Sequence, residues 1–247
     1  MPAGASLVAS EAVVAVRAHD LAGLQREVTQ CAACPRLVEW REQVGREKRA
    51  SFRDETYWAR PVPGFGDPRA RVVIVGLAPA AHGGNRTGRV FTGDRSGDFL
   101  FASMYRCGFA NQPQSVGLDD GLVLHDAYVA AAVRCAPPAN KPTTEERDEC
   151  APYLRRELEL LDRRRVIVAL GAFGYEAVWS ALRTTPALGA VLPARRPRFT
   201  HLLEVPCGPV TVLGAFHPSQ QNTFTGRLTP EMLDAVFARA SEIRTTR

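Results

Sequence analysis

Lysine is nearly absent from this chain. Of 31 basic residues only Lys48 and Lys141 are lysines, and the other 29 are arginines. A mechanism built on an amine nucleophile therefore has few residues to draw on. Long apolar runs are missing too: none approaches the roughly 20 residues that span a bilayer, which excludes a helical membrane protein. The first ten residues have neither a basic start nor a convincing apolar stretch, so no secretory leader is expected. Cysteine is scarce, six in 247 residues and unevenly spaced, too few to staple a chain of this size. That usage predicts a cytoplasmic protein whose thiols serve a metal or redox role. The standard nucleotide fingerprints are also absent. The small-residue loop Gly76–Asn85 lacks the Gly-Lys-Ser/Thr ending of a P-loop, and no G-x-G-x-x-G opens the next helix.

What is present is an ordinary globular composition, 45% hydrophobic and 23% charged, with a net charge of +5. The positive excess gathers between residues 141 and 200, in Arg163-Arg164-Arg165 and in Arg195-Arg196-Pro197-Arg198. Such runs suit phosphate, though a solvated helix end or loop is their commoner source. Residues 1–20 read as a mobile or loosely helical arm, and 21–247 as one domain.

The order of elements is more informative. Four short, β-branched apolar runs read as buried strands: residues 71–77, 126–133, 165–171 and 210–214. Helical spacing occupies 98–108, 144–161, 173–182 and 228–243, with Thr229 as N-cap and Pro230 in the first turn. A further helix over 20–40 is broken around Cys31–Pro35. Strands of this kind alternating with helices predict a three-layer α/β/α domain on a central, mostly parallel four-stranded sheet. Ligands of such sheets bind beyond the C-terminal strand ends. The chemically distinctive segments follow the strands: 76–94, 135–140, 171–175 and 217–222.

Cys31-Ala-Ala-Cys34 with Cys135 and Cys150 makes a four-thiol set, served equally by zinc or by a [4Fe–4S] cluster. Cys107 and Cys207 read as core thiols. Phe91 offers a ring for stacking on a planar base, Asp94 a carboxylate for a water or a cationic sugar, and His217 a donor to a developing anion. Each has a structural alternative: a core ring, a helix N-cap and a loop hydrogen-bonder.

Four segments carry a resemblance when taken together. They are Gly76-Leu-Ala-Pro-Ala-Ala-His-Gly-Gly-Asn-Arg-Thr-Gly-Arg89, Phe91-Thr-Gly-Asp-Arg-Ser96, Arg134-Cys-Ala-Pro-Pro-Ala-Asn-Lys-Pro-Thr143 and His217-Pro-Ser-Gln-Gln-Asn222. In this order they resemble the uracil-DNA glycosylase superfamily, most closely its family 5 iron–sulfur enzymes, from about Cys31 to the C-terminal helix. The resemblance implies a monofunctional glycosylase of base excision repair that flips uracil from DNA and hydrolyses its N-glycosidic bond; nothing in the sequence requires a dimer, so a monomer is expected. It also implies a structural [4Fe–4S] cluster on Cys31, Cys34, Cys135 and Cys150. Gly76, Ala78, Phe91, Asn140 and His217 would bind the base. Asp94 and Asn140 would position water and sugar, and His217 would donate to uracil O2. Ser219, Gln220, Gln221 and Asn222 would bind DNA, the loop from Gln220 to Thr223 entering the minor groove and filling the vacated stack. Arg86, Arg89 and Arg95, with members of the 163–165 and 195–198 groups, would form a phosphate-binding rim.

Two departures from the wider superfamily imply a broader substrate range. Leu77 and Ala80-Ala81 stand where better-known relatives carry a polar or acidic residue that activates water. Ala130-Ala131-Ala132 stands where the sister iron–sulfur family reads the base with an asparagine. Hypoxanthine and mispaired thymine become expected substrates. A non-catalytic iron–sulfur nucleic-acid-binding module and a nucleoside or nucleotide hydrolase are the other classes such a chain could serve.

Overall fold

Fourteen helices and strands follow one another in the structure, a computed structural model that describes residues 15–245. In chain order they are α1 (Leu21–Thr29), α2 (Pro35–Glu47), β1 (Phe65–Gly66), β2 (Val72–Gly76), α3 (Gly84–Thr87), α4 (Arg95–Arg106) and β3 (Ala127–Ala131). Then come α5 (Thr144–Leu160), β4 (Val166–Leu170), α6 (Gly171–Thr184), β5 (Leu203–Cys207), β6 (Val210–Ala215), α7 (Gln220–Phe224) and α8 (Pro230–Thr245). Of the arm expected over 1–20, residues 1–14 lie outside the described residues. Ala18 is already buried, and Asp20 caps α1 through the Gly23 amide.

The sheet runs β1-β3-β2-β4-β6-β5. Its four inner strands are the four expected ones, and they are parallel. The four-stranded count is corrected to a mixed six-stranded sheet, because β1 and β5 pair antiparallel at the two edges. Both edges evade a hydrophobic-run reading. β1 is two residues long, and β5 alternates exposed and buried positions and contains Pro206, as edge strands tolerate.

Strand alternation builds the layers. Val72 and Ile74 of β2, Val129 of β3, Val166 and Val168 of β4 and Leu213 of β6 join the core under α4 and α8. Their neighbours Val73, Val75, Tyr128, Ile167 and Val212 join the core under α5 and α6. A period of two thus feeds two cores from one sheet. A third, smaller core ties α1 and α2 to α5 around four cysteines.

Connections from β2 and from β4 depart in opposite directions across the sheet, so a crevice opens where the order reverses. α6 starts at Gly171 directly after β4, with φ +80°. A Cβ on Gly174 would lie 2.8 Å from the Val75 carbonyl, so glycine lets α6 press against β2. No helix among the described residues is long and apolar enough to cross a membrane.

Candidate active site and four-cysteine centre

A cleft of about 590 Å³ opens at the C-terminal strand ends. Leu77, Ala78, Ala80, Phe91, Asp94 and Ser96 line it from the loop after β2; Ala139, Asn140 and Lys141 from the loop after β3; His217, Ser219, Gln220 and Gln221 from the segment after β6. The structure therefore brings Ala78, Phe91, Asp94, Asn140, His217, Ser219, Gln220 and Gln221 to one place. Gly76 stands behind the wall: a Cβ there would lie 2.6 Å from the Phe91 ring. Asn222 does not line the cleft, but donates from Nδ2 to the His217 carbonyl at 2.8 Å and so fixes the histidine's backbone. Ser96 is a lining residue that sequence reasoning missed. A lone serine in a helix's first turn gives no signal of its own.

Each polar group is held in a defined state. Asp94 caps α4, its Oδ1 accepting from the Gly97 amide at 2.9 Å. Its other oxygen leans on Gly83, where a Cβ would come within 2.1 Å. Burial pushes the Asp94 carboxyl up, opposed by the Gly97 and Ser96 amides. The His217 imidazole is pushed down to about 4 by burial, so it is neutral at pH 7. Phe91 adopts φ +54° and buries its ring 5.8 Å from that of His217. Ala139 and Asn140 are consecutive left-handed residues, at φ +51° and +56°. Non-glycine residues persist there only when their surroundings hold them. Arg36 supplies one hold, donating to the Lys141 carbonyl at 3.2 Å while its guanidinium grips Glu146, the capping-box residue of α5.

The cysteines gather beside this loop. Cys31 and Cys34 bracket the α1–α2 turn, with Cys34 as N-cap and Pro35 opening α2. Cys135 follows β3 and Cys150 lies inside α5; both are buried in one cluster with Leu37 and Tyr153, and the half-buried Cys31 and Cys34 pack against it. Arg41 donates to Cys135 Sγ at 3.0 Å, and the Arg134 amide donates to Cys150 Sγ at 3.4 Å. Burial first, then the neighbouring sulfurs, pushes Cys34 up to about 12; burial pushes Cys150 to about 12 and Cys135, against the pull of Arg41, to about 11. Among the described residues no three His, Cys, Asp or Glu side chains converge on a single ion position.

The uracil DNA glycosylase superfamily model matches residues 63–241. Type-5 uracil-DNA glycosylase of Mycobacterium tuberculosis is 51% identical over 229 residues, 92% of this chain and 82% of its own. The type-5 enzyme of Thermus thermophilus is 48% identical, covering 91% of this chain and 98% of its own. Type-4 uracil-DNA glycosylase of Pyrobaculum aerophilum is 30% identical over 70% of this chain and 71% of its own. This chain belongs to the uracil-DNA glycosylase superfamily.

For a member of that superfamily, the arginines fall into two groups. Arg89 is buried in an ion pair with Asp120 and hydrogen bonds to Thr92 and Ser115. Arg86 is half-buried over the Phe52 ring, donates to the His82 and Gly93 carbonyls and pairs with Glu55. Both are corrected from rim residues to internal braces of the loop after β2, because their guanidinium groups are consumed by fixed partners. Arg163–Arg165 are corrected as well. They precede β4 and line a separate cleft with Arg71 and Arg244, at the opposite strand ends from the site. Arg95 is exposed beside the cleft, its guanidinium 5.2 Å from the centre of the Phe224 ring. Arg196 and Arg198 lie beside the start of α6, at the same strand ends as the cleft.

Proposed function

We propose that this chain excises uracil from DNA by hydrolysing the N-glycosidic bond and leaves an abasic site. The observation that carries the reading is the convergence of Phe91, Asp94, Asn140 and His217, from three loops of one sheet, on a cleft large enough for a base and its sugar. A base inside a duplex is out of reach, so extrusion precedes chemistry. The buried Phe91 ring offers its face to the extruded base. The glycosidic bond then breaks with positive charge on the sugar and negative charge on the base. The Asp94 carboxyl faces the sugar cation and orients the water, whose oxygen bonds to C1′ as the C1′–N bond breaks; the proton that the water sheds is taken up by the departing uracil anion. Neutral His217 donates a hydrogen bond to uracil O2 as the base departs, and costs no proton transfer at neutral pH. Asn140, at the mouth, positions water and sugar.

The wall formed by Leu77, Ala78 and Ala80 is apolar, so the loop after β2 offers no side-chain amide there to discriminate among bases. That supports a range extending to hypoxanthine and mispaired thymine. Lys141 at the rim is not needed as a nucleophile, which supports a monofunctional, nick-free reaction.

The four clustered thiols fit an iron–sulfur group by their chemistry: four soft donors from three chain segments, two buried and two half-buried, with two sulfurs already receiving N–H donors. Cys31, Cys34, Cys135 and Cys150 would hold a [4Fe–4S] cluster whose contribution is structural, joining α1, α2, α5 and the loop that carries Asn140. We read residues 21–247 as one domain acting as a monomer on DNA in the cytoplasm, since a single copy supplies every wall of the cleft.

The deciding experiment incubates the purified protein with a duplex containing one uracil, and separately with free deoxyuridine. Release of uracil from the duplex alone is expected, with no borohydride-trapped protein–DNA adduct. Cleavage of the nucleoside alone, or of neither, would overturn the reading.

A further inference from the structure

Three arginine side chains are buried in the described chain: Arg41, Arg89 and Arg134. A buried charge needs a partner, and two of the three have a buried carboxylate in direct contact. Arg89 pairs with the buried Asp120, and Arg134 with the buried Glu157, which also accepts from Tyr128. Arg41 is different. It is 6% exposed, and its nearest carboxylate, Glu42, stands 4.0 Å away with its own side chain 47% exposed. One terminal nitrogen instead donates to Cys135 Sγ at 3.0 Å and to the Cys31 carbonyl at 3.2 Å, while its Nε is buried without a partner.

The guanidinium is also aimed by construction. α2 brings it inward, and Asn85 of the loop after β2, itself fully buried, donates to the Arg41 carbonyl at 3.1 Å. The cation is thus fixed between the thiol cluster and the loop that carries Asp94. Four cysteinyl thiolates on a [4Fe–4S] core are dianionic overall, and so are four thiolates on zinc. Either group would be the anion that this buried cation lacks.

We propose that Arg41 is the resident counter-cation of the four-cysteine centre, a positioning residue that stabilises the loaded metal group. The proposal rests on the cluster reading above, and the experiment separates the two. Wild-type protein, purified anaerobically, is assayed for iron, zinc and visible absorption. Arg41→Met and Arg41→Lys are then compared with it for the rate of metal release to a chelator and, where iron is bound, for the midpoint potential. Arg41→Met is expected to release metal roughly 10- to 100-fold faster, as losses around a metal's ligands do. Its potential should fall, because the more negative reduced cluster loses its nearby cation. Arg41→Lys, which keeps the charge but not the fork, should lie between Arg41→Met and wild type on both readouts.

Thermal unfolding of the metal-free proteins controls for packing: equal melting temperatures with unequal release rates locate the effect at the metal. Release and potential both unchanged in Arg41→Met would overturn the role of Arg41 even with a brown, iron-loaded wild type. A zinc-loaded wild type would overturn the iron reading while the release rates still decide on Arg41. A wild type holding neither metal would overturn both.

Discussion

Phe91 and His217 stand ring beside ring, their centroids 5.8 Å apart and their planes 34° from parallel. No base fits between rings that close, so the two form adjoining parts of one wall, which the proposed function uses as a stacking face and a donor edge. Gly76 sets the position of the first ring from behind. Gly76→Ala would add a Cβ 2.6 Å from it and push it toward the cleft. Uracil excision should fall on the order of 10- to 100-fold, as small misplacements in an active site do. Duplex affinity, measured by fluorescence anisotropy, should hold. Unchanged turnover would show that the ring does not contact the base.

His217 carries a pH signature with a definite sign. Its imidazole is pushed from an ordinary 6.5 down to about 4 by burial. Above pH 6.5 both folded and unfolded chains keep it neutral, and its full contribution to stability is present. As pH falls from 6.5 toward 4 the unfolded chain takes up a proton that the folded chain refuses, so stability declines, by about 3 kcal/mol at most across the window. Urea unfolding at pH 7 and pH 5 should show a steeper loss for wild type than for His217→Gln. Equal losses would mean that the imidazole is not desolvated. Turnover should show no step between pH 6 and 7.5 from this group.

Asp94 caps α4 and, in the proposed function, also serves the chemistry, and one substitution separates the two. Asn is as good an N-cap as Asp, so Asp94→Asn keeps the bond to the Gly97 amide and should change stability by well under about 1 kcal/mol. The charge is lost, and turnover should drop on the order of 100-fold or more. In the wild type the raised carboxyl should bring the acid limb of the rate profile in at a higher pH than an ordinary aspartate gives. A variant with a wild-type single-turnover rate would remove Asp94 from the chemistry.

Two arginines six residues apart should respond in opposite ways. Arg89→Met breaks a buried pair with Asp120 and should cost roughly 3–5 kcal/mol of folding stability. The dependence of duplex affinity on salt should stay as it was. Arg95→Ala removes an exposed cation beside the cleft. Stability should hold, and the slope of log K against log salt should shrink by about one unit if it meets a phosphate. The reverse pattern would restore Arg89 to the rim.

The inner strands, the flanking helices and the loops carrying the site were legible because buried parallel strands are continuously apolar and their ligands follow their C-terminal ends. The edge strand Leu203–Cys207 was not, since its alternation and Pro206 resemble a loop until β6 pairs with it. Charge was the least legible feature. Arg86, Arg89 and Arg95 fall within ten residues of one another, and only the folded chain shows that two of them are spent on Glu55 and Asp120. Arg41 gave no signal at all, because a helix arginine looks solvated until its face turns out to be the buried one.

Phe224 is the other residue that only the structure singles out. It ends α7, just past the segment expected to enter the minor groove, and its side chain is 66% exposed beside the site. An aromatic ring left in water, with the Arg95 guanidinium 5.2 Å from its centre, has the form of an apolar wedge backed by a phosphate-seeking cation. The flipped base leaves a gap in the stack, and filling it offsets a few kcal/mol of unstacking. Single-stranded DNA has no such gap to hold open. Phe224→Ala should therefore slow excision of uracil from duplex DNA by about 10-fold or more while leaving the single-stranded rate near wild type, consistent with about 1–3 kcal/mol per stacked base. Phe224→Trp should retain the duplex rate. An equal loss on both substrates would assign the ring to folding of α7, and no loss on either would leave the gap to Gln220 and Gln221.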